Sequence, residues 1–427
     1  MKKLLSILLI LMSLPVLAFA NGEKESEQKE VTIWSFNLSP DALAEVQDKI
    51  INVYQEDHPE VMINWQNIPY AGYREKLLTS AAGSALPDIF IDGFNMVGVY
   101  ENAGIIEDLS DDLDNFDFWD EFTPSVVDLA KVGDKVYGVP FRLKVYPTII
   151  NTEIFEEVGL DPNDPPTTWD DMLYAAKKIF KAENGSVVRA GASNFYNQAS
   201  MARTFDLLVQ QDGGQLLDED GYPAFNDEHG MNALKFLIEL YNVEKPVGLA
   251  PIDETVNRVF VLGKAGISST NSYDSIQSAL QTGEDEIIAK TKVVMPMRSN
   301  NPSGKNVAMF DGDMAYLSST SPVKAEALDF INYFYQPDNL IIYLKANKCV
   351  PFYAEHLNSS YMDEIPVYKE LYKLQEYGGV LAKTAAYRAA RGYLTEEIEK
   401  AIYEGQDLQE TLDKAESRWL QEIEDMK

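Results

Sequence analysis

Residues 31–53 read VTIWSFNLSPDALAEVQDKIINV. The first six, Val31 to Phe36, are β-branched and aromatic, the content of a strand. Asp41 reads as the N-cap of a following helix, in which Leu43, Val46, Ile50 and Val53 recur at helical spacing. A second short strand is expected at Val61 to Trp65 and a helix at Tyr73 to Ala82. Asp88-Ile89-Phe90-Ile91 has the composition of a buried strand. Strands alternating with helices in this way predict an α/β fold with a largely parallel sheet.

The pattern recurs downstream. Val136 to Pro140 and Thr148 to Asn151 read as strands, and Trp169 to Ala182 as a helix capped around Thr167-Thr168. Gly230 to Tyr241 is amphipathic, with Leu234, Leu237, Ile238 and Tyr241 on one face, and Lys324 to Tyr335 is another helix. Thr395 to Met426 is rich in Glu, Lys, Leu and Ala with few breakers and reads as helical. No repeat of fixed period is evident. Some 427 residues exceed what one core accommodates, so two domains are expected.

Lys2 and Lys3, the apolar run from Leu4 to Leu17 and Ala18-Phe19-Ala20 have the form of a signal peptide, residues 1–20. The run is shorter than the ~20 residues that span a bilayer. Residues 21–30, NGEKESEQKE, read as a disordered tether. The only cysteine is Cys349, so neither a lipidated cysteine after the leader nor an internal disulfide is available. These features imply a periplasmic or secreted, soluble chain. The net charge of −32 argues against nucleic acid and anionic membranes as partners and fits a monomer.

The sequence offers little for catalysis. His58, His229 and His356 are scattered, and no nucleophile elbow, P-loop or dinucleotide fingerprint is present. Asp218-Glu219-Asp220-Gly221 lacks the later ligands of a Ca²⁺ loop and reads as a polar hairpin. Close carboxylate pairs are inevitable among 68 acidic residues and single out no glycosidase dyad. Neither cofactor nor metal is expected. What remains suits sugar capture, which needs flat aromatics for C–H faces and Asn, Asp, Gln or Arg for hydroxyl edges. Such residues cluster where strands should end: Trp34 to Asn37, Asp92 to Asn95, Asn194 to Gln198, Asn271 to Asp274 and Asp311 to Asp313. Ligands in open α/β sheets bind outside the carboxyl ends of strands.

At these residues the chain resembles the family 1 extracellular solute-binding proteins of ABC importers, the maltose-binding type. The likeness is carried by Val31 to Phe36, YREKLLTSAAGSALPDIFIDG (73–93), KVYGVPF (135–141) and INTEIFEEVGLDPNDPPTTWDDM (150–172). DGGQLLDEDG (212–221), GKAGI (263–267) and SPVKAEALDFINYF (321–334) follow in order. The resemblance implies a two-lobed periplasmic-binding-protein fold of the class II type, with the ligand in a cleft between lobes. Lobe 1 would take residues 31–143 plus 308–347 and lobe 2 residues 144–307 plus 348–427, with crossings at Phe141 to Tyr146 and Arg298 to Phe310. Matching positions imply ligand contacts at Phe36, Asn37, Asp92, Gly93, Arg142 and Lys144, and at Tyr273, Asp311 and Tyr387, with Arg388 and Arg391 in the segment around Tyr387 that should border the same cleft. Gly312, Phe195 and Asn197 join them from the polar–aromatic clusters.

The resemblance further implies capture of a sugar or oligosaccharide by hinge closure and delivery to the importer's permease. A secreted carbohydrate-active enzyme and a ligand sensor for a membrane receptor are the alternatives. In one respect the chain departs from the family: small polar residues often follow GVPF, and here Arg142-Leu143-Lys144 do. Either these cations meet an acidic ligand or the protein's own carboxylates pair with them.

Overall fold

The computed structural model describes residues 28–36, 38–193, 201–246, 248–252, 256–269, 272–379 and 384–426. The leader, most of the tether, Asn37, Phe195 and Asn197 lie outside the described residues. Thirteen strands occur among them. The first half contains β1 (Lys29–Ser35), β2 (Val61–Asn67), β3 (Ile89–Gly93), a small hairpin of β4 (Lys131–Val132) and β5 (Lys135–Val136), and β6 (Val139–Tyr146). Then come β7 (Thr148–Asn151), β8 (Lys181–Glu183), β9 (Ser186–Ser193), β10 (Ala265–Ser268), β11 (Thr291–Val294), β12 (Ala308–Leu317) and β13 (Gly378–Gly379).

Two main sheets result. One has the order β13-β12-β3-β1-β2, with β6 on the other edge of β12; the second runs β11-β7-β10-β9-β8. Both are mixed, which corrects the largely parallel sheet expected. β1 pairs in parallel with β2 and β3, and β10 with β9. β12 runs antiparallel to both β3 and β6, and β7 antiparallel to β10 and β11.

Long β12 organises the first sheet. One of its edges pairs with β13 at Ala308 and Met309 and with β3 from Asp313 to Leu317. Among the described residues no strand pairs with Phe310 to Gly312 on that edge, and there the sheet opens. Its other edge pairs with β6 from Met309↔Tyr146 to Ala315↔Val139, with a register shift between Asp313 and Met314. This close approach requires glycine at 312: a Cβ there would lie 2.0 Å from the Arg142 carbonyl oxygen, and φ is +152°.

Each sheet carries its own core. Val31, Ile33, Phe90, Ile91, Phe141, Tyr316 and Phe334 pack in the first. Ile150, Met172, Phe205, Leu237, Ile267, Leu394 and Trp419 pack in the second. Val350, Phe352, Tyr361 and Leu371 belong to the first core, although the expected boundary at 347 assigned them to the second lobe. Tyr273 and Ile276 of the helix Ser272–Thr282 do so as well. The chain passes from sheet to sheet at Pro147, between β11 and β12, and between β13 and the helix Ala385–Glu399.

Local chemistry accounts for most element boundaries. Tyr73–Ala82 is helical as expected. The helix Pro40–Val46 is capped by Ser39, not Asp41: the Ser39 hydroxyl accepts from the Ala42 N–H, and Pro40 fills the first turn. Thr168 and Asp171 form a capping box for Trp169–Ile179. That helix stops before residue 182 because Lys181–Glu183 hydrogen-bonds to β9. Lys29 and Glu30, assigned to the tether, pair with Val61 and Met62 instead. The C-terminal helix is two: Gly405 in the left-handed region ends one turn, and Asp407 caps Leu408–Asp425. Residues 218–221 form a hairpin turn in which the Gly221 N–H donates to the Asp218 carbonyl.

Candidate functional site

A cavity of about 310 Å³ opens beside Phe310 to Gly312, where one edge of β12 has no strand partner among the described residues. Phe36 and Gly93, at the carboxyl ends of β1 and β3, line it beside Asn95. Arg142 and Lys144 reach it from β6, and Asp311, Gly312 and Asp313 from β12. Arg203 comes from the helix Met201–Gln211, and Tyr387 and Arg391 from the helix Ala385–Glu399. Tyr70 and Arg74 complete the wall. Elements of both cores therefore meet around one space.

Four of the five cations here are held by aspartates. Arg74 donates from Nε and Nη2 to Asp92, at 2.7–3.0 Å, and Tyr100 donates its hydroxyl to the same carboxylate at 2.5 Å. Arg142 pairs with Asp313, its Nε 2.7 Å from Oδ2. Lys144 Nζ lies 2.9 Å from Asp274 Oδ1, and the Tyr146 hydroxyl donates to Oδ2. Arg203 Nη1 lies 2.6 Å from Asp311 Oδ2, with its guanidinium 5.1 Å from the centre of the Tyr146 ring. Burial disfavours charge at Arg142, but Asp313 outweighs it and keeps the guanidinium firmly protonated. The same contest at Lys144, against Tyr146 and Asp274, also ends with a raised ammonium pKa. Burial would raise Asp274, yet Lys144 holds it below the usual carboxylate range.

An aromatic wall faces these charges. Phe36 meets Tyr70 at 5.1 Å and Tyr73 edge-on at 4.9 Å. Tyr70 is 51% exposed, with the Arg74 guanidinium 5.7 Å from the centre of its ring. Tyr73 is buried and donates its hydroxyl to the Ile91 carbonyl.

Of the residues singled out from sequence, Phe36, Gly93, Arg142, Lys144, Asp311, Gly312 and Tyr387 line this one cavity. Asp92 does not: it is fully buried behind Arg74 and positions that guanidinium. Tyr273 is turned into the first core, where its hydroxyl accepts from the Val350 N–H. Arg388 belongs to the helix Ala385–Glu399, with its side chain outside the described residues. Sequence reading missed Tyr70, Arg74 and Arg203, whereas Asn95 and Asp313 belonged to the polar–aromatic clusters and Arg391 to the segment around Tyr387. A buried aspartate at the end of a strand, as in IFIDG, needs a cation nearby, and that signal pointed to a partner such as Arg74.

The model of one family, described as bacterial extracellular solute-binding protein, matches residues 38–340. The chain belongs to this family. A lactose-binding protein from Rhizobium radiobacter is 25% identical over 317 residues, 72% of this chain and 71% of that one. A protein named as a probable amino-acid ABC transporter periplasmic-binding protein, from Sinorhizobium fredii, is 26% identical over 202 residues, 44% of each chain. Among solved structures, the cyclic α-maltosyl-1,6-maltose binding protein from Arthrobacter globiformis matches with a TM-score of 0.75 at 22% identity. That match covers 93% of this chain and 99% of the other. The fold of this solute-binding protein is thus the two-lobed periplasmic-binding-protein fold anticipated above.

Proposed function

We propose that this solute-binding protein serves an ABC importer, taking a saccharide into the cavity between its two cores and delivering it to the membrane permease. The observation that carries the reading is the pairing of an aromatic wall, Phe36 and Tyr70, with a field of Arg–Asp and Lys–Asp pairs. A sugar ring presents C–H faces to the former. Its hydroxyls each donate and accept, so they bond both members of such pairs without needing a charge of their own. The lactose-binding relative and the maltosyl-maltose-binding neighbour support a saccharide; the amino-acid relative matches less than half of this chain.

Capture works by closure of one lobe on the other. The first lobe comprises β1 to β6 with residues 308–379, and the second β7 to β11 with residues 384–426, the helix Ser272–Thr282 bordering both. Ligand contacts from β1, β3, β6 and β12 on one side and from Arg203, Tyr387 and Arg391 on the other coexist only when the lobes are shut, which draws the population to the closed form. Thermal-shift measurements with neutral and acidic mono- and disaccharides test the reading, because a bound ligand stabilises the native state by RT ln(1 + [L]/Kd). Stabilisation by an amino acid but by no saccharide overturns it.

A further inference from the structure

Arg391 differs from the other four cations of the cavity: among the described residues, no carboxylate pairs with it. Among the described residues that line it, the site therefore holds one positive charge in excess, on a chain whose net charge is −32. Two more donors stand in the same cavity without acceptors. The Tyr387 hydroxyl and Arg203 Nε are both buried with no hydrogen-bond partner. A buried donor left unmatched is costly, so a native ligand is the natural acceptor. Tyr387 and Arg391 are one helical turn apart and share a face.

All three residues line the same cavity. Burial and, after it, the Asp206 carboxylate keep the proton on the Tyr387 hydroxyl, against the cationic fields of Arg391 and Arg203. Asp206, a turn along from Arg203, is no counter-ion for Arg391. Its carboxyl is buried, is raised by that burial against a bond from Gln210, and makes no ion pair among the described residues.

We propose that the saccharide carries a carboxylate, and that this group is seated on Arg391, Arg203 Nε and the Tyr387 hydroxyl. The proposal rests on the saccharide reading above and adds a charge to it. A carboxylate accepts several hydrogen bonds and matches a guanidinium bidentately. Its single charge equals the excess on the site; a phosphate monoester would carry nearly two. Arg142 and Lys144 are not the anchors, since Asp313 and Asp274 already occupy them.

Titration calorimetry on the full mature chain tests this, with D-glucuronate, D-galacturonate and their 1,4-linked dimers as probes. Their methyl esters, the neutral parent sugars and glucose 6-phosphate serve as comparisons. At least one uronate is expected to bind, its methyl ester at least tenfold more weakly, and binding should weaken as salt rises. Arg391→Gln should lose at least tenfold in uronate affinity at an unchanged ligand-free melting temperature. Arg391→Lys, which keeps the charge but not the fork, should fall between. A neutral sugar bound equally well by the wild type and by Arg391→Gln overturns the carboxylate seat while leaving the saccharide reading intact. Tight binding of glucose 6-phosphate without any uronate overturns the choice of carboxylate. Binding of an amino acid and of no sugar removes both readings.

Discussion

Arg203 and Asp311, 2.6 Å apart between Nη1 and Oδ2, join the two cores across the cavity. Arg203 rides on a helix packed into the second core through Phe205 and Leu208, whereas Asp311 sits on β12 at the gap in the first sheet. Any separation of the lobes must break this pair. Asp311→Asn keeps the shape and removes the charge, and is expected to weaken ligand affinity by roughly 1.5–3 kcal/mol, the scale of a hydrogen bond to a charged group. Small-angle scattering should show a smaller radius of gyration for the wild type with ligand than without, and a larger ligand-free radius for the variant than for the wild type. An unchanged radius with a bound ligand rules out closure.

The aromatic wall separates binding from folding at two neighbouring residues. Tyr70 is half exposed, and Phe36 is buried against Tyr73. Tyr70→Ala is therefore expected to cost about 1–3 kcal/mol of ligand affinity, the value of covering a large apolar side chain, with little change in melting temperature. Phe36→Ala should lower both. Calorimetry and thermal denaturation on the two variants decide, and a Tyr70→Ala protein with full affinity excludes Tyr70 as a stacking platform.

Asp206 makes stability depend on pH. Burial pushes its carboxyl up to about 7 from the ordinary 3.8, with Gln210 opposing only in part, and Oδ2 has no partner. Between those values the folded protein holds a proton that the unfolded chain has released. Stability attributable to this group is therefore full below pH 3.8 and declines as pH rises toward 7, by on the order of 4 kcal/mol. Asp206→Asn has no proton to lose. Urea denaturation from pH 4.5 to 7.5 should show the variant gaining on the wild type as pH rises; parallel profiles would refute a raised Asp206.

How much was legible in sequence follows the physics of each signal. Strand and helix content near the N-terminus was read well, since Val31 to Ser35 and Tyr73 to Ala82 carry propensities that packing reinforces. Ser39 lost to Asp41 as the expected cap because both are good caps, and Pro40 at the first helical position, which points to Ser39, went unused. The same oversight merged the last two helices across Gly405 and Asp407. At the site, residues following strands were found because strand ends are marked by polar and aromatic clusters. Arg74 and Arg203 lie within helices, where a charge ordinarily marks a solvated face. Only the tertiary fold turns them onto the cavity. Tyr273 failed for the opposite reason: an aromatic in a polar segment is equally at home in a core, and packing near Val350 decided it.

Arg142, whose position after GVPF left open whether ligand or protein matches its charge, is paired with Asp313 in a setting where both side chains are under 10% exposed. Removing one member of such a pair leaves a bare buried charge, whereas removing both does not. Arg142→Met is accordingly expected to cost about 3–5 kcal/mol of stability in ligand-free protein at pH 7, the range for breaking a buried pair. Arg142→Met with Asp313→Leu should recover most of that loss, because well-packed apolar residues replace buried ion pairs at little cost. The coupling is read from urea denaturation of the two single variants and the double one. Stability unchanged in Arg142→Met together with lost binding would instead make Arg142 a ligand contact whose pairing with Asp313 contributes nothing to the fold.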